Sequence, residues 1–550
     1  GGDAPSDSAA GGAVAASPDA VRSCPQSLSG KDTVDRVIAK ACGVVPVTGN
    51  YSVEGATLTL EAGASLAFAE GAKMTVGRAE PAKLIVQGTS ADPVTLTTSA
   101  DRVPGVWKGV VLGDKASRSS LEGLVIEHAG DDQAALQVEA QDVTIAGCTV
   151  RGAKGLGIEI AREGSVTMVG STLEKVGPVA MRVTPRAAGG VQPGNVFPAD
   201  SRVQIVNGRV DADTTWAAIG TPWLLTGRVQ VHGEAGQRAT LTLGAGAELR
   251  FDGDGTIEVG YYEQGGLVAE GSTSAPIVLA AHERQEPGGW AGLKIHGKGE
   301  ARFAHVRFVN GGRKDKEGVL LIDDAARVSL TDSTFQDDAV GVVVRGKKAE
   351  LEAFDRVTFA GTPVALRGAA RVLGALGGDN HYEGEPVIVA ESDKIDADST
   401  WRTQVGAKVQ LDGRLQISGG RLVIEAGYVV AVEDGGEVQV GYYDVAGLEL
   451  RGTAEEPIEF VGQRDEPGTW GGLVFYAKAK GNVLDNVVLR NVGGQAGVRV
   501  DGEAELQVDT LRCANCSTPT LKWTCKGTVE HTGVEAAEGT PAALEAPECK

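Results

Sequence analysis

Short segments of this sequence return every 22–24 residues. Residues 143–150 (VTIAGCTV) return as 166–173 (VTMVGSTL), a shift of 23, and residues 328–335 (VSLTDSTF) match the same template. Each period holds about three short strand-like runs separated by bends, so apolar side chains at alternate positions stack on those of the next turn of chain. This pattern predicts an all-β, single-stranded parallel β-helix of roughly 20 coils, and strand twist favours the right-handed form.

Two other repeat folds fit the period poorly. Leucine-rich repeats have a similar length, but their Leu-x-x-Leu-x-Leu-x-x-Asn consensus is missing from the sequence. Propeller blades run about 40–50 residues, whereas the longer internal repeat of this chain is near 180 residues.

That longer repeat is marked by tryptophan. Trp107, Trp290 and Trp470 each follow a Pro-Gly-x sequence and stand 183 and 180 residues apart. A tryptophan that recurs at a fixed coil position favours a packed corner, and we expect the same corner in each block. The predicted organisation is a flexible tether (1–23), an N-terminal capping helix (24–43), three β-helix blocks (44–213, 214–398 and 399–512) and a Cys-rich C-terminal cap (513–550).

The capping helix is predicted from spacing over residues 29–42. Ser29 is a suitable N-cap and Gly43 a suitable stop. Apolar residues fall at i, i+3, i+4 and i+7, as Val34, Val37, Ile38 and Ala41. Such a helix would cover the first open strand edge of the solenoid.

The cysteines cluster at the two ends of the sequence. The disulfide candidates are Cys24, Cys42, Cys513, Cys516, Cys525 and Cys549. A Cys24–Cys42 bridge would staple the capping helix, while the C-terminal connectivity stays open, and disulfides imply an oxidising compartment. Zinc binding by Cys513 and Cys516 is disfavoured because no second pair lies at ribbon spacing.

Charge and the first residues bear on location. The chain carries 52 Lys and Arg against 73 Asp and Glu, a net charge of −21, which argues against nucleic acid and anionic membrane surfaces as partners. No apolar stretch is long enough for a transmembrane span. The Gly/Ser/Ala/Asp-rich start is similar to the tether of bacterial lipoproteins, so we expect an extracellular, cell-surface or periplasmic bacterial protein, with a lipid anchor upstream of Gly1 or an ordinary loose terminus.

Over residues 44–512 the chain resembles the right-handed parallel β-helix proteins, the pectate-lyase-like superfamily in its broad sense. The resemblance rests on the coil period and on motifs such as 332–342 (DSTFQDDAVGV). Many members are polysaccharide lyases, hydrolases or esterases, and others are adhesins, phage spikes or non-catalytic surface proteins, so the resemblance implies the fold and leaves activity open.

The catalytic motifs of that superfamily are incomplete here. Asp337 and Asp338 resemble the paired acids of polygalacturonases, but the partner motifs Asn-Thr-Asp, Gly-His-Gly and Arg-Ile-Lys are missing, so a polar turn explains the pair. Residues 252–257 (DGDGTI) resemble the middle of a calcium loop without its first and last ligands. We therefore predict no catalytic residue and no cofactor, with calcium kept as an alternative and its ligands unknown.

A tyrosine pair distinguishes the second and third blocks. Residues 259–263 (VGYYE) recur as 440–444 (VGYYD), whereas the first block has 76–80 (VGRAE). Neighbouring side chains on a strand face opposite ways, so one tyrosine of each pair should point outward and suit sugar stacking or a protein contact; a corner plug is the structural alternative. The candidate binding residues are Tyr261, Tyr262, Glu263, Tyr442, Tyr443 and Asp444.

The sequence thus favours a non-catalytic β-helix that acts as a rigid binding or structural element for carbohydrate or a protein partner. A polysaccharide-active enzyme on acidic glycans is the first alternative, and a passive spacer or assembly subunit the second. A cleft lined by two or more carboxylates, with Arg or Lys on the same face, would favour the enzyme.

Overall fold

The computed structural model describes residues 21–22, 24–314, 316–537 and 539–548. The chain divides into two compact units, residues 1–206 with 217–223, and residues 207–216 with 224–550. Each unit is a right-handed parallel β-helix, and the chain makes about 21 turns, which confirms the predicted fold class. Helix is confined, within the described residues, to three short 3-10 segments: Lys40–Cys42, Ala187–Gly190 and Ala370–Ala375.

The strands are short, and all the pairings recorded between them are parallel. The first unit contains Val21–Arg22, Leu28–Asp32, Arg36–Ile38, Val44–Val53, Thr57–Glu61, Ser65–Phe68, Lys73–Val76, Lys83–Gln87, Val94–Thr98, Gly109–Leu112, Ser120–Glu122, Leu124–Glu127, Leu136–Val138, Val143–Ala146, Thr149–Arg151, Ile158–Ile160, Val166–Val169, Thr172–Glu174, Val179–Val183 and Arg202–Ile205. Strand Trp223–Leu225 contains one of the three points at which the chain passes from one unit to the other.

The strands of the second unit form three faces in each coil. They are Gly208–Val210, Thr214–Trp216, Arg228–Val231, Ala239–Leu243, Glu248–Phe251, Thr256–Val259, Gly265–Glu270, Ile277–Ala281, Gly292–Ile295, Gly299–Ala304, Val306–Val309, Leu320–Asp323, Arg327–Thr331, Thr334–Gln336, Val340–Arg345, Glu350–Asp355, Thr358–Ala360, Val364–Ala369, His381–Tyr382, Val387–Ile395, Ser399–Trp401, Lys408–Ile417, Arg421–Ile424, Val429–Val432, Glu437–Val440, Gly447–Arg451, Ile458–Gly462, Leu473–Phe475, Asn482–Asp485, Val487–Arg490, Val498–Val500, Glu505–Ala514, Leu521–Trp523, Thr528–Ala536 and Leu544–Glu545.

Inward side chains of successive coils stack directly on one another. Phe308, Phe335 and Phe359 are register partners on three adjacent coils, and their ring centroids lie 4.6 and 4.9 Å apart with nearly parallel planes. This spacing is the inter-strand distance of a β-sheet. The core of this unit is therefore a set of like side chains stacked along the coil axis, which explains why the sequence repeats.

The predicted capping helix is wrong. Residues 29–42 instead contain the end of strand Leu28–Asp32, strand Arg36–Ile38 and the 3-10 turn Lys40–Cys42. Val37 pairs with Thr59 of the next coil and is buried, whereas Val34, placed on the same predicted helical face, is 50% exposed. Pairing with an adjacent strand outweighs an accidental helical spacing, since neighbouring coils supply every hydrogen bond that a strand needs.

Disulfides lie near both ends of the chain. Cys24 is bonded to Cys42, as predicted, and Cys513 is bonded to Cys516. Cys525 is also disulfide-bonded, while Cys549 lies outside the described residues. The bridge at Cys42 closes a loop in the first coils rather than stapling a helix.

The recurrent tryptophans are packed corners, as expected. Trp290 is fully buried, stacks on Phe251 with centroids 4.2 Å apart, and its Nε1 donates to the Val309 carbonyl at 3.1 Å. In the first unit, Trp107 stacks on Phe68 at 4.0 Å. Because these rings are buried in the coil interior, they are not accessible to a ligand.

The expectation that the tryptophans of the last two blocks share a corner is wrong. Val259 and Val440 are equivalent residues of the second- and third-block repeats. Strand pairing connects Val259, one coil at a time, to Val432, whereas Val440 lies in the next strand of the coil that holds Val432. The long strands Val387–Ile395 and Lys408–Ile417 continue around a bend and pair along two faces at once. The third-block pattern is therefore displaced by one face relative to the second.

Candidate binding site

Each tyrosine pair sits in a turn that only glycine can begin. Gly260 follows strand Thr256–Val259 with φ +71°, and a Cβ there would lie 2.1 Å from the Gly299 backbone nitrogen. Gly441 has φ +68°, and its Cβ would lie 2.2 Å from the Ala479 nitrogen. Left-handed φ and close approach of the next coil both require glycine at these points.

Both tyrosines of each pair face solvent. Tyr261 and Tyr262 are 54% and 57% exposed, and Tyr442 and Tyr443 are 51% and 56% exposed. The expectation of one outward ring per pair is wrong because these residues lie in the turn, where strand alternation does not apply. Rings this exposed do not plug the coil corner.

The rings of each pair are held edge to face. Tyr261 and Tyr262 have centroids 4.7 Å apart at 85°, and Tyr442 and Tyr443 show the same two values. T-shaped packing is a favoured aromatic geometry. Because the same distance and angle occur in both blocks, the two rings of each pair hold a defined orientation relative to each other.

A ring from the following coil supports the first tyrosine of each pair. Tyr261 contacts His296 at 4.8 Å and 80°, and Tyr442 contacts Tyr476 at 4.8 Å and 83°. Burial lowers the pKa of His296, so its imidazole is neutral at pH 7. The sequence did not reveal these supporting rings, because the two blocks use different residue types, a histidine and a tyrosine, at this position.

A lysine from the same following coil anchors the second tyrosine. Lys298 Nζ donates to the Tyr262 carbonyl at 2.6 Å and lies 3.3 Å from Glu263 Oε2. Lys478 Nζ donates to the Tyr443 carbonyl in the same way. The signal was present in the sequence, since each lysine follows its tyrosine by 36 or 35 residues.

The first unit keeps this turn without the aromatic rings. Lys115 Nζ donates to the Ala79 carbonyl at 2.5 Å, and the Glu54 carboxylate accepts backbone N–H groups from Ala79 and Glu80 at 2.9 and 2.8 Å. Arg78 is drawn into an ion pair with Glu139 at 3.2 Å. The turn is therefore structural in all three blocks, and the rings are an addition in two.

A groove of about 720 Å³ opens beside the second-block pair. Its charged lining comprises Arg238, Lys298, Arg327, Lys347, Lys348, Glu263, Glu300 and Glu350. Glu300 accepts from Arg238 at 2.6 Å and from Arg327, and these hydrogen bonds hold the pKa of Glu300 below its usual value. The groove is cation-rich although the chain as a whole is acidic.

The paired acids form a polar turn, as the sequence analysis preferred. The Gly311 N–H donates to Asp338 Oδ1 at 2.5 Å, and the Asp338 N–H donates to Thr362 Oγ1 at 3.3 Å. Asp338 is fully buried, and burial raises its pKa to about 8, while Asp337 is exposed. Asp338 bridges three stacked turns and is inaccessible to a substrate.

The calcium-like segment is engaged by a cation of the protein. Asp254 Oδ1 accepts from Arg313 Nη1 at 2.7 Å. Across the described residues, three or more His, Cys, Asp or Glu side chains do not come together as a metal-binding group. Calcium stays an untested alternative to the prediction of no cofactor.

Stacked parallel strands, three faces to a coil, define a right-handed parallel β-helix protein. Residues 32–147 match the family model of the pectate-lyase like beta helix domain. No curated protein matches the chain. The tyrosine pairs lie outside the matched segment, so the match supports the fold and gives the site no function. None of the described helical segments is long and apolar enough to cross a membrane.

Proposed function

We propose that this protein is a non-catalytic, secreted or surface-located bacterial β-helix that binds carbohydrate through its two tyrosine pairs. The observation that carries the proposal is the repetition of one exposed four-part arrangement, with paired rings, a supporting ring, an anchoring lysine and a flanking acid, at Tyr261 and at Tyr442. Disulfides near both ends support an oxidising location.

The chemistry of the pairs suits a sugar. An exposed tyrosine offers an apolar ring face to the C–H side of a pyranose and a hydroxyl to its oxygens. An acid follows each pair in sequence, and its carboxylate lies near a lysine: Glu263 Oε2 is 3.3 Å from Lys298 Nζ, and Asp444 Oδ2 is 3.6 Å from Lys394 Nζ. Such carboxylate–lysine groups can hydrogen-bond sugar hydroxyls. Because His296 and Lys298 already fix the pair, little side-chain entropy is lost on binding.

The groove favours a second candidate, an enzyme on acidic polysaccharides. Three carboxylates lie there with five cations, which meets the positional criterion set from the sequence. Glycoside hydrolysis also needs an acid with a raised pKa, and the pKa of Glu300 is lowered. A lowered pKa favours the ionised carboxylate of Glu300, which suits an ion pair with arginine better than donation of a proton. Binding is therefore the preferred function.

Binding is tested by calorimetric titration of five tetrasaccharides: cellotetraose, xylotetraose, mannotetraose, chitotetraose and tetragalacturonate. We expect at least one to bind and to lose about tenfold or more in affinity when Tyr261, Tyr262, Tyr442 and Tyr443 are all replaced by Ala. Val405→Ala, at a residue that is 76% exposed, serves as the control and keeps full binding. Affinity unchanged in the quadruple variant rejects the tyrosines as the site, and cleavage of any tetrasaccharide favours the enzyme.

A further inference from the structure

We propose that the two tyrosine pairs are independent sites on different faces of the second unit, so that one molecule bridges two polysaccharide chains. This inference rests on the proposed function and adds the number of ligands and their arrangement. The structural basis is the one-face displacement between the second and third blocks.

The displacement follows from strand register within the second unit. Val259, which precedes the Tyr261 pair, connects through seven successive coil steps to Val432. Val440, which precedes the Tyr442 pair, pairs back with Ile417 and Ile395 along the neighbouring face. The two pairs therefore stand seven coils and one of three faces apart.

These steps set the distance between the sites. At about 4.8 Å per coil, seven steps separate the pairs by about 34 Å along the axis, and one face in three adds roughly a third of a turn. Consider a straight glycan chain that covers the first pair and runs parallel to the axis. When it reaches the coil of the second pair, it lies on a different side of that coil from the second pair. One linear chain is thus not suited to both pairs at once.

The corner that continues from the first pair carries no repeat of its rings. Beyond His296 the same corner presents, in successive coils, Asp323, Arg345, Ala369, Glu391, Asp412 and Glu433. In the coil that holds Tyr442, this corner thus offers Glu433 in place of an aromatic ring. The aromatic surface of the first site ends within two coils.

Each pair is complete without the other. Tyr261 has its own supporting ring in His296, and Tyr442 has Tyr476 at the same 4.8 Å. Lys298 and Lys478 each anchor the pair on their own side. Two complete sites on a rigid scaffold, turned away from each other, fit a cross-linking protein, which gains avidity on a polymer network without further contacts.

The test uses the full chain and the same five tetrasaccharides, which are too short to reach from one pair to the other. Calorimetry on the unaltered protein should give two ligands per chain for the tightest binder. The double variants Tyr261→Ala with Tyr262→Ala, and Tyr442→Ala with Tyr443→Ala, should each keep one ligand with melting temperature unchanged. Light scattering should rise when the unaltered protein meets the parent polysaccharide, and should stay low with either double variant.

Three other outcomes decide against the inference. One ligand per unaltered chain, kept in one double variant and lost in the other, shows that only one pair binds and overturns bridging while the proposed function stands. Two ligands per chain in both double variants places the sites elsewhere and overturns both proposals. Failure of all five tetrasaccharides to bind overturns the carbohydrate function itself, and a protein partner that is lost with the tyrosines then replaces it.

Discussion

The Tyr261 ring lies edge-on against the His296 imidazole of the next coil, with centroids 4.8 Å apart. The third block reproduces this distance between Tyr442 and Tyr476. The supporting residue changes from histidine to tyrosine while the geometry stays the same. The two blocks therefore share an exposed aromatic pair at the same point of the repeat. In each block an aromatic ring from the following coil supports the pair.

The supporting rings should tune affinity without carrying the fold. We expect His296→Ala and Tyr476→Ala to weaken glycan binding at their own sites by about 2- to 10-fold, the value of one aromatic pair, because the first tyrosine gains freedom. His296→Phe and Tyr476→Phe restore a ring and should restore affinity. Calorimetric titration measures the effect, and equal binding by the Ala and Phe variants would show that the support is irrelevant.

The turn glycines allow conformational strain to be separated from steric clash. Gly260 and Gly236 both have positive φ, but a Cβ at Gly236 meets nothing within 4 Å, whereas at Gly260 it meets backbone. Gly236→Ala should cost about 1–2 kcal/mol and Gly260→Ala roughly 3 kcal/mol or more. Urea unfolding gives both free energies, and equal losses would contradict the close packing of the tyrosine turn on the next coil.

Asp338 should make stability depend on pH. Unfolded, it ionises near its ordinary pKa of 3.8; folded, it keeps its proton up to about pH 8. Since the folded state binds this proton more tightly, the free energy of unfolding contributed by Asp338 falls as the pH rises from about 4 to 8 and is level above that. Asp338→Asn should remove this slope and stabilise the protein at pH 8.

Asp337→Asn is the matched control, because Asp337 is exposed beside Asp338. Chemical unfolding at pH 4, 6 and 8 measures the slope for each variant. The same pH slope in Asp338→Asn as in the unaltered protein would show that Asp338 is ionised in the fold.

The Cys24–Cys42 bridge should stabilise the first coils locally. Its partners are 18 residues apart, and a loop of about that size is worth about 3 kcal/mol. In solenoids each coil contacts mainly its neighbours, so Cys24→Ser with Cys42→Ser should speed hydrogen exchange in strand Leu28–Asp32 and leave Val340–Arg345 unaffected. Unchanged exchange in the first strand would show that the bridge is dispensable.

Periodicity was enough to predict the fold, because stacked coils impose the same apolar positions on every turn of chain. It failed at residues 29–42, where helical spacing coincided with two strands that pair with the next coil. The amphipathic spacing did not predict burial either, since Val34 is 50% exposed. Strand partners decide the backbone here, and these partners lie about 20 residues away in sequence.

The tyrosine pairs could be predicted as candidates because they differ between otherwise similar blocks. The exposure of both rings in each pair could not be predicted, since it depends on a bend that begins at Gly260 and Gly441. The displacement by one face was also hidden, because it arises where Val387–Ile395 continues around a corner without a break in the sequence pattern. Repeats in sequence therefore did not imply alignment along one face.

The central claim is that the exposed tyrosines meet the sugar. The chain has eight tyrosines, and three of them, Tyr51, Tyr382 and Tyr428, are buried and serve as internal controls. Carbon-13 tyrosine labelling, with assignment by single Tyr→Phe variants, allows each ring to be followed by NMR while the tightest-binding tetrasaccharide is added. We predict shifts at Tyr261, Tyr262, Tyr442 and Tyr443 with the buried rings unchanged; ligand binding that leaves those four resonances in place would contradict the claim.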